Sequence, residues 1–476
     1  MGPTHSRVAV RAAGLRLALD AYGHALAAVG AATLGLLEAF EKVQRRVHPP
    51  AILALRETLT PLRNRQTDAL ARFRAAAVPE GLAPFHEQLA SGAEAEIVAD
   101  SAGIEVRPNI HSLARVYIEP TARCNLTCRT CIRNSWKEPI GDMERDLFDR
   151  LATQLRQFPL LESVMFGGFG EPTAHPDILH MIKTTKELAV RVELTTNGTS
   201  LDETMIAGLM DAGLDRLWVS LDGVTEGSFD EIRQGASFDH VMANLRRLRE
   251  MNYRSPRRMD VGIAFVVMKK NIDDLRKIDR LIKAAGARFV SISNLLPYTK
   301  AMEEEMVCSL ALTLDTIAGA SGRTAISMPR LDINDRTKEA IFSLLRTYDN
   351  LSLMGNSIST PGQSCRFIKD RCTFVRWDGK VGPCMGLLHT HQTFLNGLER
   401  TVSAYALGDI GSGNLHEIWN SDEYTRFREK IRGFLFSPCH VCGGCSFLEK
   451  NEEDCCGNTF PTCGGCLWAQ GVIQCP

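Results

Sequence analysis

Three cysteines within one short stretch constrain this chain more than any other feature of its sequence. Cys124, Cys128 and Cys131 are separated by three and by two residues, and they follow an apolar run at 113–119 that is typical of a β-strand. Three thiolates so close together can hold three irons of a cubane 4Fe–4S cluster. A structural zinc or ferredoxin-type site needs four ligands, and the next cysteine is Cys308. The spacing therefore predicts a cluster with one iron open to an exchangeable ligand.

Length and charge place outer limits on the function. A chain of 476 residues is long enough for two or three domains with a large core. The net charge of −1 gives no electrostatic reason to expect a nucleic-acid partner. Residues 1–12 contain charges and no cleavable apolar run, so no secretory signal is predicted.

Cysteine usage indicates a redox compartment. The chain has 15 cysteines, most of them between Cys365 and Cys475 and largely in Cys-x2-Cys pairs. Such pairs favour metal ligation in a reducing cytoplasm over disulfides, which are typical of short secreted proteins. The sequence therefore predicts a cytoplasmic metalloprotein.

The first part of the chain, 1–110, is predicted to be a helical extension. Apolar residues recur at helical spacing over 7–95, and Pro49 and Pro50 interrupt the pattern as in a helical hairpin. The uncharged stretch 21–37 is shorter and richer in Ala and Gly than the ~20 apolar residues of a membrane span. It is predicted to be a packed helix, and no membrane partner is expected.

Between 111 and 300 the pattern changes to strands alternating with amphipathic helices. Six such alternations predict an α/β fold, a partial (β/α)6 TIM-type barrel with parallel strands and right-handed crossovers. Ligands collect at the carboxyl ends of the strands in such folds. A weakly patterned connector, 301–360, precedes a cysteine-rich domain at 361–476. The strands are predicted at 114–119, 163–167, 191–195, 216–220, 260–267 and 289–293.

The loops after successive predicted strands carry glycine, hydroxyl, amide and charged residues. Glycines allow a backbone to approach a ligand closely, and a glutamate can accept hydrogen bonds from an ammonium group. A guanidinium group suits a carboxylate. Each loop alone also fits an ordinary turn, but their repetition at four strand ends favours a binding site. These positions are Gly167, Gly168, Glu171, Asn197, Ser220, Asp222 and Arg233.

Taken in order over about 116–296, the cysteine loop, the glycine loop and the Ser-Leu-Asp-Gly loop resemble the radical S-adenosylmethionine superfamily. The resemblance implies that the cysteine loop binds a 4Fe–4S cluster and that the amine and carboxylate of S-adenosylmethionine chelate its open iron. One electron then cleaves S-adenosylmethionine to a 5′-deoxyadenosyl radical, which abstracts a hydrogen atom from the substrate. Two departures are Phe169-Gly170 before Glu171, and Thr130 where the family usually has an aromatic residue.

The same resemblance assigns contacts to S-adenosylmethionine. It implies that the glycine loop from Gly167 to Glu171 receives the amine, and that Ser220 and Arg233 hold the carboxylate. Asn197 or Asp222 would be nearby contacts. The expected electron donor is a ferredoxin or flavodoxin.

The C-terminal cysteines surround a predicted hairpin at 374–381, which is followed by a predicted helix at 415–432. On spacing alone they are also compatible with zinc knuckles. Their pattern resembles the SPASM extension of radical enzymes, which implies up to two auxiliary 4Fe–4S clusters. By this resemblance one cluster uses Cys365, Cys372, Cys384 and a distal thiolate. The other draws on Cys439, Cys442, Cys445, Cys463, Cys466 and Cys475.

Two short stretches narrow the resemblance. Residues 131–136 and 463–470 are similar to maturases of tungsten-containing aldehyde ferredoxin oxidoreductases, which implies a peptide, protein or protein-bound metal cofactor as substrate. Met385 after Cys384 offers no acidic base, which argues against a sulfatase-maturing enzyme. His389 and His391 fit either structural roles or a metal or proton role. One alternative function is an iron–sulfur electron-transfer or scaffold protein without radical chemistry, in which Glu171 would have no purpose. The other is a sulfatase-maturase-type enzyme.

Overall fold

The computed structural model divides the chain into two compact units, Met1–Ser112 and Leu113–Pro476. In the first unit two strands, β1 (Ala95–Asp100) and β2 (Gly103–Pro108), pair as an antiparallel hairpin. The helices predicted over 7–95 lie outside the described residues as far as position 94. The end of the extension 1–110, which was predicted to be helical, forms strands instead. The structure describes 95–100, 103–108, 110–308, 325–328, 331, 335–337, 339–340, 344, 350–353, 356–357, 365–395, 397–434, 436–437, 439 and 445–475.

Six parallel strands form the core of the second unit, each hydrogen-bonded to the next in chain order. Their central residues are buried on both faces, as in strands covered by crossover helices. The predicted partial barrel is therefore confirmed. The strands are β3 (Arg115–Ile118), β4 (Ser163–Phe166), β5 (Arg191–Thr196), β6 (Arg216–Ser220), β7 (Asp260–Val267) and β8 (Phe289–Asn294).

Amphipathic helices connect these strands. In the first of them Phe148, Leu151 and Leu155 are spaced three and four residues apart, and all three are buried against the sheet side. A short helix at 226–232 precedes the longest helix, and a 3₁₀ turn, Ile272–Lys277, precedes the last one. The helices are α1 (Arg145–Leu155), α2 (Ile178–Lys186), α3 (Glu203–Asp211), α4 (Glu226–Ile232), α5 (Phe238–Arg254) and α6 (Asp279–Ala285).

Further strands extend the sheet at both edges. On one side β9 (Ala325–Met328) and β10 (Asn350–Leu353) continue it in parallel, and β11 (Asn356–Ser357) ends it. On the other side β12 (Cys372–Val375) pairs in parallel with β3, and β13 (Lys380–Gly382) turns back along it. The predicted hairpin is therefore present, and it belongs to the same sheet as the barrel.

The remaining described elements lie before and after this hairpin in the chain. A second hairpin follows Cys384, and a last short strand pairs with β13. The predicted helix 415–432 is two helices. None of the helices in the described part of the chain has the length and apolar character needed to cross a membrane. These elements are α7 (Lys300–Glu305), α8 (Arg366–Lys369), β14 (His391–Leu395), β15 (Leu398–Val402), β16 (Gly408–Asp409), α9 (Leu415–Trp419) and α10 (Asp422–Gly433).

Candidate active site at the carboxyl ends of the strands

The three-cysteine loop lies between β3 and α1, with all three thiols partly exposed. The backbone N–H of Cys131 donates to the carbonyl of Cys128 at 3.1 Å, and a 3₁₀ turn, Ile132–Ser135, follows directly. Burial raises the pKa of the Cys128 thiol to about 11 and also raises that of Cys131. Iron must therefore displace protons from these thiols when it binds.

The chemistry of this donor set fits a cubane cluster. No group of three or more His, Cys, Asp or Glu side chains in the described residues is arranged around a single metal ion. A cubane instead binds each thiolate at a separate iron, which suits three thiols along one partly exposed loop.

Backbone hydrogen bonds join the cysteine loop to the residues directly before and after Arg233, at the end of α4. The N–H of Arg129 donates to the carbonyl of Ile232 at 2.9 Å, and the N–H of Thr127 donates to the carbonyl of Gln234 at 3.0 Å. These two bonds bring Arg233 beside the thiols of Cys128 and Cys131, with which it interacts electrostatically.

Asp222 holds the Arg233 side chain in place. Nε of Arg233 donates to Oδ2 of Asp222 at 2.8 Å, while the other carboxylate oxygen accepts from the N–H of Val266 at 2.9 Å. Asp222 is only 1% exposed, and both of its oxygens are occupied by protein donors. Asp222 therefore acts as a positioning residue for Arg233, which brings a fixed cation to the cluster loop.

The glycine loop after β4 is packed so closely that two of its glycines have no room for a side chain. A Cβ on Gly168, whose φ is +128°, would lie 2.6 Å from Cγ of Glu119. A Cβ on Gly170 would lie 2.1 Å from the backbone carbonyl oxygen of Thr121. Gly167 is open by comparison, with its nearest neighbour at 3.7 Å. The loop therefore rests directly on the segment that leads from β3 into the cysteine loop.

Glu171 ties the loops after β4 and β5 together. Its carboxylate is 2% exposed and accepts hydrogen bonds from N and Oγ1 of Thr173, from Oγ1 of Thr196 and from the N–H of Asn197, at 2.6–3.0 Å. Burial raises the pKa of this carboxyl group in spite of these bonds. The sequence pattern singled out this acid for a ligand amine, whereas the structure shows four protein donors already on it.

Asn197 joins the loop after β5 to the cysteine loop. Its Nδ2 donates to Oδ1 of Asn125 at 2.8 Å and lies 3.9 Å from Sγ of Cys124. Its Oδ1 accepts from the N–H of Thr199 at 2.9 Å. Ser220 is partly exposed at the end of β6. Hydrogen bonds thus connect Glu171 to Asn197 and Asn197 to the cysteine loop.

The sequence singled out His389 but not its partners, and in the structure this histidine is buried between two carboxylates. His389 is 1% exposed, with Nε2 2.8 Å from Oε2 of Glu119 and Nδ1 2.9 Å from Oε2 of Glu138. Both nitrogens can donate only in the imidazolium form. Burial alone would lower the pKa of His389, but the two hydrogen bonds outweigh it and raise the pKa.

The histidine network joins the cysteine-rich region to both loops of the candidate site. Glu119 follows β3 and also accepts from the N–H of Phe169 in the glycine loop at 3.1 Å. Glu138 follows the cysteine loop and accepts from Arg376 of the β12–β13 turn at 2.6 Å. The rings of Trp136 and His389 lie 4.0 Å apart. Glu119 at the end of a strand was the available sequence signal for this network, but its partner His389 lies 270 residues further along the chain.

The described C-terminal cysteines lie at three places. Cys372 and Cys475 line a small cavity, and Cys372 interacts electrostatically with Cys365. Cys439 interacts electrostatically with Cys445 and Cys455, and Cys442 lies outside the described residues. One cavity, of about 650 Å³ including its opening, is lined by four thiols, and we call it the four-thiol cavity. Its thiols are those of Cys365, Cys384, Cys463 and Cys466.

Comparison with known families agrees with this geometry. The sequence matches the radical SAM superfamily over residues 118–282 and the SPASM iron–sulfur cluster-binding domain over residues 365–446. The chain therefore carries a radical SAM domain followed by a SPASM domain. It is an enzyme of the radical SAM class, and its cofactors are 4Fe–4S clusters and S-adenosylmethionine.

Individual proteins are similar to most of the chain. The chain is 29% identical over 368 residues to the tungsten-containing aldehyde ferredoxin oxidoreductase cofactor-modifying protein of Pyrococcus furiosus, covering 76% of this chain and 96% of that protein. It is 25% identical over 353 residues to the PqqA peptide cyclase of Rhodopseudomonas palustris, covering 73% and 83%. Streptococcus suis SuiB bound to its precursor peptide SuiA aligns with a TM-score of 0.48 and 14% identity, over 81% of this chain and 83% of that one.

Proposed function

We propose that this protein is a maturase that modifies the protein-bound metal cofactor of a tungsten-containing aldehyde ferredoxin oxidoreductase. Support comes from the Pyrococcus furiosus relative, which carries that description and which the chain covers over nearly its whole length. The observation that carries the radical chemistry is the placement of Arg233 beside Cys128 and Cys131. A peptide substrate is the second candidate, because the chain also covers most of a peptide cyclase.

The strand-end loops would hold the radical-forming group. Cys124, Cys128 and Cys131 would bind the cluster, and the guanidinium of Arg233 would receive the carboxylate of S-adenosylmethionine, with Ser220 nearby. Because Glu171 already accepts four hydrogen bonds, the ammonium group would be left to the backbone carbonyls of the glycine loop. When bound, the cluster and S-adenosylmethionine supply a carbon-centred radical that abstracts hydrogen.

The cysteine-rich region would hold auxiliary clusters. The four-thiol cavity offers a complete set of ligands for one cubane. Burial raises the pKa of the Cys365 thiol to about 12, so these thiols would stay protonated unless metal binds them. Cys439, Cys445 and Cys455 form a second group. Electrons would reach the protein from a ferredoxin or flavodoxin.

Cleavage of S-adenosylmethionine tests the radical chemistry. Reconstituted protein with a strong reductant should release 5′-deoxyadenosine, measured by liquid chromatography. The Cys124→Ala/Cys128→Ala/Cys131→Ala variant should release none, while Cys308→Ala, which removes a buried thiol elsewhere, should behave as wild type. A wild type with intact clusters and no 5′-deoxyadenosine would identify an electron-transfer or scaffold protein instead.

The substrate is tested by co-expression. A tungsten-containing aldehyde ferredoxin oxidoreductase is produced with wild type or with the triple cysteine variant, and its released cofactor is compared by mass spectrometry. A mass difference that depends on the intact cysteine loop supports the proposal. Identical cofactors, together with active cleavage of S-adenosylmethionine, would turn the assignment toward a peptide substrate.

A further inference from the structure

We propose that Arg400 is the counter-cation of the iron–sulfur cluster in the four-thiol cavity, and that its charge raises the reduction potential of that cluster. The inference rests on the proposed function, because it needs a cluster bound by these four thiols. It concerns a residue to which the family match assigns no role, in strand β15 of the second hairpin.

Arg400 is a buried charge with unused donors. The residue is 3% exposed, and its Nε and Nη1 atoms are buried with no hydrogen-bond partner among the described residues. A buried charge without a partner is strongly unfavourable. Something that lines or fills the cavity must therefore compensate the guanidinium.

Other buried arginines in the described chain have protein partners. Arg233 pairs with Asp222 at 2.8 Å, and Arg371 pairs with Glu162 at 2.7 Å. Arg428 stacks over the ring of Trp419 at 4.1 Å and donates to the carbonyl of Trp419 at 2.7 Å. Arg400 has neither an acid partner nor a stacked ring among the described residues, which distinguishes it from these three arginines.

Among the described residues around Arg400, only cysteine thiolates can supply negative charge. No aspartate or glutamate is among the described residues that line the four-thiol cavity. The thiolates that attract the guanidinium are those of Cys466, Cys439 and Cys463. His391 also lines the cavity, but burial keeps it uncharged by lowering its pKa to about 4.

The backbone of the Cys463–Cys466 turn is shaped to admit this side chain. A Cβ on Gly465 would lie 2.0 Å from Nη1 of Arg400, so only glycine leaves room for the guanidinium there. Arg400 is therefore held against the turn that contributes two of the four thiols. Its unpartnered Nε and Nη1 donors would be available to a cluster held by these thiols.

The electrostatic consequence follows from the charge of the bound cluster. One-electron reduction adds one negative charge to a site that is already anionic from its four thiolates, and no bond forms or breaks. A cation and N–H donors beside the sulfur atoms stabilise the reduced form more than the oxidised form. Arg400 therefore favours the electron on the auxiliary cluster.

Potentiometric titration followed by electron paramagnetic resonance tests this role. The triple variant with alanine at the three-cysteine loop serves as background, because only auxiliary clusters then contribute to the spectrum. In that background Arg400→Gln should lower the midpoint potential of one auxiliary cluster by at least 59 mV, a tenfold change in its reduction equilibrium. Arg400→Lys, which keeps the charge, should retain most of the wild-type potential. Arg426→Gln, which removes an exposed arginine, should leave it unchanged.

Equal potentials in wild type and Arg400→Gln would overturn the inference, as would an upward shift. If Arg400→Gln does not fold, unsubstituted protein with ¹⁵N-labelled arginine decides the question by pulsed electron paramagnetic resonance. A nitrogen coupling at a reduced auxiliary cluster supports the inference, and its absence overturns it. Iron and sulfide content of the background variant is measured first. A protein without auxiliary iron contradicts the proposed function itself, whereas a normal iron content with unshifted potentials contradicts only the role of Arg400.

Discussion

At the scale of single residues, the candidate site is held by charged groups whose partners are inside the protein. Asp222 and Glu171 both come from sequence motifs, yet their carboxylate oxygens accept hydrogen bonds from protein donors. A motif predicts which residue types a site contains, but it does not say which of them touch the ligand. Arg233 differs, since Asp222 occupies its Nε while the guanidinium faces the cysteine thiols.

The assignment of Arg233 predicts a specific loss of affinity for S-adenosylmethionine. Arg233→Gln should raise the Kd for S-adenosylmethionine about tenfold or more, because a charged hydrogen bond contributes roughly 1.5–3 kcal/mol. Arg233→Lys keeps the charge but loses the bond to Asp222 and should be intermediate. Equilibrium binding to the reconstituted protein measures both variants.

The matched control is Arg247→Gln, on the outer helix α5. It should bind S-adenosylmethionine as wild type does. Equal affinity in Arg233→Gln and wild type would exclude Arg233 from the binding site.

His389 predicts a pH-dependent contribution to stability. Its pKa is raised in the folded protein, so its stabilisation is full below the unfolded value of about 6.5 and is lost as the pH rises through the folded value. His389→Gln breaks a buried ion pair, which costs about 3–5 kcal/mol. The difference in apparent Tm between wild type and variant should therefore be larger at pH 6 than at pH 9.

His240→Gln, which removes a more exposed histidine on α5, is the comparison variant. Its Tm difference from wild type at pH 6 should be smaller than that of His389→Gln. A pH-independent loss in His389→Gln would show that the imidazole is neutral in the folded protein.

At the scale of elements, the strands were predictable and their long-range partners were not. Buried runs of apolar residues gave β3 to β8 to within one or two residues, since period and length are local properties of the chain. The pairing of β12 with β3 joins residues more than two hundred positions apart, and no local pattern records it. The grouping of Cys365 with Cys463 depends on the same kind of contact.

The glycine loop predicts a steric test. Gly170→Ala would place a Cβ 2.1 Å from the carbonyl oxygen of Thr121, and backbone cannot move aside as a flexible side chain can. Binding of S-adenosylmethionine should fall sharply, and the apparent Tm should drop. Gly227→Ala in α4 meets nothing within 4 Å and should be neutral or stabilising by up to about 1 kcal/mol. Wild-type binding in Gly170→Ala would mean that the loop is not part of the site.

At the scale of the whole molecule, the described core joins two iron–sulfur regions through one sheet and one buried network. The parallel pair of β3 and β12 connects the strand that leads to the cysteine loop with the strand that contains Cys372. His389 and Arg376 then connect the cysteine-rich region to Glu119 and Glu138 beside that loop. Cysteine groups that are far apart in the sequence therefore lie in one connected core.

Iron content tests how the cysteines are shared among clusters. Three cubanes predict about twelve irons per chain in the wild type and about eight in the triple cysteine-loop variant. Because Cys463 lines the four-thiol cavity, Cys463→Ala should also lose about four irons. Cys372 lies outside that cavity beside Cys475, so Cys372→Ala should keep about twelve. Loss of about four irons in Cys372→Ala would instead restore the grouping that the resemblance implied, in which Cys372 is a ligand.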